Sequence, residues 1–143
     1  MIGFFIAIIS GALMSIQGIF NTQVTKASGI WASAAFVQFS ALLVCISAWA
    51  ITERGPLLKV FSVEPKYMLL GGVIGAFITY TVIQSMEALG PAKAAMFIVI
   101  SQLITAYLIE VLGVFGVEKT GISIRKVIGM GIAVLGILIF KWE

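Results

Sequence analysis

The sequence predicts an all-α integral membrane protein, a bundle of five transmembrane helices, and three observations carry that prediction. Of 143 residues, 61% are hydrophobic and only 10% charged, whereas an ordinary globular chain carries roughly 25% charged residues. The charges fall between long apolar runs and leave the runs themselves nearly clean, which is the membrane pattern. A soluble domain of this length would keep most residues in contact with water and could not hide so much apolar surface. The longest stretch outside the runs, 53–66, is too short for a second domain. Residues 1–143 therefore read as one transmembrane domain.

A spanning helix takes about 20 apolar residues. The first run, 2–24, lacks a basic leader and a small-residue cleavage site, so the expectation is a retained helix and not a signal peptide. Lys26-Ala27-Ser28-Gly29 separates it from the second, 30–51, which Glu53-Arg54-Gly55-Pro56 ends. Leu57, Leu58, Val60 and Phe61 suit either a short piece lying on the membrane surface or a plain loop. The third helix is expected over 67–88 and the fourth over 92–112. The tight link Leu89-Gly90-Pro91 predicts an antiparallel hairpin between them. The fifth apolar run, 127–142, is short by itself and gains length if Ile122 and Ile124 extend it, so the helix is expected over about 124–142. Trp31, Trp49, Tyr67 and Trp142 lie near segment ends, as interfacial aromatics do.

With five crossings, Arg54, Lys59, Lys66, Lys119, Arg125 and Lys126 share one side, against Lys26, Lys93 and Lys141 on the other. That bias places the N-terminus inside, and its smallness leaves insertion in both orientations open. The net charge of +3 is scattered over these juxtamembrane positions and is not a nucleic-acid footprint. One cysteine, Cys45, excludes an internal disulfide and reads as a small buried hydrophobe. Histidine and aspartate are absent, which argues against metal sites, Ser-His-Asp chemistry and enzymatic activity generally. No cofactor is expected.

The helix faces carry the functional signal. At ~100° per residue, Gly3, Ala7, Ser10, Met14, Gln17 and Asn21 fall on one narrow face of the first helix. Amides pointed at lipid would lack partners, so this face should look inward, as interhelical glue or as a cavity lining. Ser33, Ser40 and Ser47 recur every seventh residue along the second helix as a packing seam, and Gln38 lies off it. The third helix opens with Gly71, Gly72 and Gly75, a close-contact pattern, then carries Thr79, Tyr80, Gln84 and Glu87. Ser101, Gln102 and Thr105 share one side of the fourth helix near its midpoint. Glu110 follows in its last turn, at the negative end of the helix dipole. A carboxylate there suits interfacial snorkelling or a proton-linked role, and Glu87 has the same two readings at the opposite face. Gly129, Ala133 and Gly136 read as a packing strip, within the chain or across a dimer.

The order of these features resembles the drug/metabolite transporter superfamily, and within it the small five-helix YdcZ-type family. The resemblance rests on Gly11-Ala12 with Gln17 and Asn21, on Gly71-Gly72 with Gly75 and Ala76, and on Leu89-Gly90-Pro91-Ala92. Ser101-Gln102-Leu103, Gly113-Val114-Phe115-Gly116, Arg125 and the fifth-helix glycines complete it. Glu110 stands where an aspartate is expected. The resemblance implies half of a ten-helix inverted-repeat transporter in a bacterial inner membrane, working by alternating access after pairing with a second five-helix subunit, itself or a homologue. A small polar or amphiphilic solute would meet Gln17, Asn21, Tyr80, Gln84, Ser101, Gln102 and Thr105, and Glu110 or Glu87 would exchange a proton or meet a cation. The alternative is a non-transporting membrane subunit whose stripes assemble a larger complex.

Overall fold

The computed structural model describes residues 2–140. Lys141 and Trp142, at the expected end of the fifth helix, lie outside the described residues. The chain is all-helical: α1 (Ile2–Ser28), α2 (Ile30–Thr52), α3 (Gly71–Leu89), α4 (Pro91–Leu112) and α5 (Ile124–Phe140), with two short 3₁₀ turns, Leu57–Ser62 and Lys66–Leu70. Among the described residues, four stretches are long and apolar enough to cross a membrane, namely α1, α2, Lys66–Leu89 and α4. The 17 described residues of α5 rise about 26 Å at 1.5 Å per residue, just under the ~30 Å hydrocarbon core.

The helix ends follow local chemistry. The first helix runs four residues past the expected boundary, and only Gly29, at φ 86°, leaves helical geometry. Gly90, at φ 81°, plays the same part before Pro91, whose fixed φ suits the first turn of α4. The third spanning stretch begins as the 3₁₀ turn Lys66–Leu70 and becomes α-helical at Gly71. Large apolar side chains point outward along every helix: Phe5, Phe36, Phe77, Val99 and Ile132 are all exposed. In water this surface would be untenable; in lipid it is the solvated surface.

The chain divides near Leu89 into two compact units. In the first, α1 and α2 form a helical hairpin and α3 touches both, with Met86 and Val82 beside Gly18 of α1 and Thr79 beside Gln38 of α2. In the second, α4 packs on α5.

Candidate functional site

Gly29 turns the chain back, and near the turn Asn21, Thr22 and Thr25 of α1 and Ser33 and Ala34 of α2 are buried. Small side chains let the helices approach. Ser33, fully buried, donates its Oγ to the backbone carbonyl of Asn21 at 3.1 Å. Beyond this patch lies a groove of about 840 Å³. Ser10, Met14, Gln17, Phe20 and Asn21 line it from α1, and Phe36, Ser40 and Cys45 from α2. The thiol is exposed, and the expectation of a buried Cys45 is corrected: an apolar run in lipid has no general interior. Of the serine seam, Ser33 packs, Ser40 borders the groove, and Ser47 folds back on the Leu43 carbonyl.

A second polar cluster lies where α3 meets α2. Gln38 Nε2 donates to Thr79 Oγ1 at 3.5 Å, and that hydroxyl donates to Gly75 O at 3.0 Å. Gly75 approaches the Gln38 amide, while a Cβ on Gly71 would meet nothing. Tyr80 stacks on Trp31, ring centroids 4.7 Å apart and planes 21° from parallel, and its hydroxyl accepts from Gln84 Nε2 at 2.9 Å. Glu87 is exposed and makes no ion pair among the described residues.

In the second unit, Glu110 near the end of α4 meets Lys126 in the first turn of α5, Nζ to Oε2 at 2.7 Å. The ammonium also lies 5.3 Å from the Tyr107 ring centroid, within cation–π range. Tyr107 Oη accepts the Ser123 N–H at 2.7 Å, fastening the start of α5 to α4. The loop between them folds over the end of α4: Gly113, at φ 66°, caps the helix, and the Thr120 N–H reaches the Glu110 carbonyl at 2.8 Å. A cavity of about 400 Å³ beside the ion pair is bordered by Leu103, Tyr107, Gly129 and Met130. Ala133 borders another with Met96, and Gly136 faces open space.

Ser101, Gln102 and Thr105 are exposed. At ~100° per residue they centre roughly 140° around α4 from Leu103, Ala106, Tyr107 and Glu110, the residues turned to α5. The Gln102 amide makes no hydrogen bond with another described residue. Of the residues singled out from sequence, the structure groups Gln17 with Asn21, Tyr80 with Gln84, and Glu110 with a partner, Lys126, that sequence reading used only for orientation. Trp31 and Gln38 also belong to a polar cluster. Trp31 looked like an interfacial aromatic, and its stacking partner lies 49 positions away.

Long apolar helices, with large apolar side chains exposed along them, are those of a polytopic helical membrane protein. The chain belongs to the YdcZ family, of the drug/metabolite transporter type: the family model, described as "Putative inner membrane exporter, YdcZ", matches residues 2–139. No curated protein and no solved structure matches the chain.

Proposed function

We propose that this chain is half of a secondary-active exporter in the bacterial inner membrane, and that two five-helix subunits, inserted antiparallel, together form the alternating-access path. One observation carries the reading: Gln17 and Gln102, on apolar spanning helices, have side-chain amides without a partner among the described residues. An amide left without a hydrogen bond in hydrocarbon is costly. A solute, water or a second subunit must then supply what the chain does not. Five crossings make pairing of opposite insertions the simplest route to an inverted repeat, and the small Lys/Arg bias allows both insertions. The membership of an exporter family supports outward transport. Gln17, Asn21, Tyr80 and Gln84 in one unit, and Ser101, Gln102 and Thr105 in the other, are the solute-facing set. Glu110 with Lys126, and Glu87, are the charge-coupling candidates, and Gly71, Gly75, Gly129, Ala133 and Gly136 the packing positions.

The test fuses two reporters after Glu143, one active only in the cytoplasm and one only outside. Signal from both supports an antiparallel homodimer. Signal from one alone requires an oppositely inserted homologue. If cross-linking recovers no such partner, the half-transporter reading fails and the assembly-subunit reading replaces it.

A further inference from the structure

We infer that the α1–α2 groove binds an uncharged amphiphile, its hydrogen-bonding head against the Asn21 amide and its apolar body along Phe20 and Phe36. This rests on the exporter reading and names the class of substrate for it.

Asn21 is the reason to place the head there. It is 7% exposed and borders the groove, yet its side-chain amide makes no hydrogen bond with a described residue. The bond that joins α1 to α2 at this position uses the Asn21 main-chain carbonyl, which accepts from Ser33 Oγ at 3.1 Å. The side chain is therefore spare: helix packing does not employ it, and its amide is left to whatever occupies the groove. One turn on, the buried Thr25 hydroxyl also has no partner. A threonine in a helix commonly donates to the carbonyl four residues back, as Thr22 does to Gly18. For Thr25 that carbonyl is Asn21 O, already taken by Ser33. One turn before, Gln17 adds a second amide to the groove wall. Gln17 and Asn21, residues i and i+4 of one helix face, thus present donors and acceptors to the groove without a charge.

The rest of the lining fixes the class. Leu, Met, Ile, Phe, Val and Ala side chains dominate it, and no Asp, Glu, Lys or Arg is among the residues bordering the groove. A cation or anion entering would shed water without meeting a counter-charge. An amide head, by contrast, both gives and takes hydrogen bonds, and an apolar or aromatic body matches the walls.

Cys45 borders the same groove and is the chain's one thiol, so the chain carries its own reporter. In proteoliposomes, the rate of Cys45 modification by N-ethylmaleimide is followed with two aromatic probes, neutral N-phenyl-1-naphthylamine and cationic ethidium. At about ten times its Kd, a bound probe should slow modification roughly tenfold, because only the empty fraction reacts. The expected result is protection by the neutral probe, little by ethidium, and loss of protection in Asn21→Leu. Asn21→Gln keeps an amide and should keep protection, while Asn21→Asp should transfer it to ethidium. These two stand in if the leucine variant does not fold. Protection by ethidium equal to or greater than that by the neutral probe overturns the uncharged class and leaves the groove as a solute site. No protection by either, or unchanged protection in Asn21→Leu and Asn21→Asp, overturns the site itself and assigns the groove to lipid or a second copy. The exporter reading answers to the reporter fusions, so the two failures are distinguishable.

Discussion

Gly18 of α1 lies close against Met86 and Val82 of α3, and replacing it with alanine tests that packing. A Cβ at residue 18 would lie 2.5 Å from Met86 Cε and 2.7 Å from its Sδ, with Val82 Cγ1 at 3.4 Å. Ordinary contact begins near 3.4 Å, so the methionine tip must retreat by about 0.9 Å. A thioether tip is flexible, but Met86 is 5% exposed, and its retreat displaces neighbours. Overpacking of this kind costs about 1–3 kcal/mol, and Gly→Ala in a helix returns up to about 1 kcal/mol. The net expectation for Gly18→Ala is a loss of about 1 kcal/mol. Met86→Ala alone should cost about 2–5 kcal/mol by emptying a filled space. Together they should be less harmful than their sum by at least about 1 kcal/mol, because the new methyl enters the space the thioether vacates. The assay is unfolding of the full chain by sodium dodecyl sulfate in mixed micelles, followed by far-ultraviolet circular dichroism. Additivity within about 0.3 kcal/mol would refute the contact between α1 and α3.

Two further outcomes bear on the second unit. Tyr107→Phe removes the acceptor of the Ser123 N–H and should cost about 1–3 kcal/mol, with faster hydrogen exchange at the Ser123 amide. Unchanged exchange there would show that the hydroxyl does not hold the loop. The Glu110–Lys126 pair is half exposed, 41% and 52%, so a double-mutant cycle with Glu110→Gln and Lys126→Gln should give only a small coupling, weakened by added salt. A larger, salt-insensitive coupling would mean that the pair works away from water.

The spanning helices were legible because membrane helices obey a length rule and the charges gather at or near the ends of the apolar runs. The polar face of the first helix was legible for the same reason: Gln17 and Asn21 stand out against an apolar ground. What periodicity could not give was pairing between elements. Gln38 meets Thr79, and Trp31 meets Tyr80, across 41 and 49 positions, and one sequence carries no record of such neighbours. The serine repeat shows the limit of a face reading. Identical residues at equal spacing pack, border a groove, or turn back on their own helix, according to distance from the Gly29 turn. Glu110 and Lys126 fell on the same expected membrane face, but their 16-residue separation spans a loop whose path depends on the left-handed backbone at Gly113, Phe115 and Gly116.

The bond from Ser33 to the Asn21 carbonyl has an evolutionary consequence. A main-chain acceptor is supplied by every amino acid, so residue 21 can be exchanged without withdrawing the group that joins the two helices. If Asn21 meets the solute as proposed, specificity at that position can drift through single substitutions while the hairpin keeps its fold, with no compensating mutation needed in the scaffold.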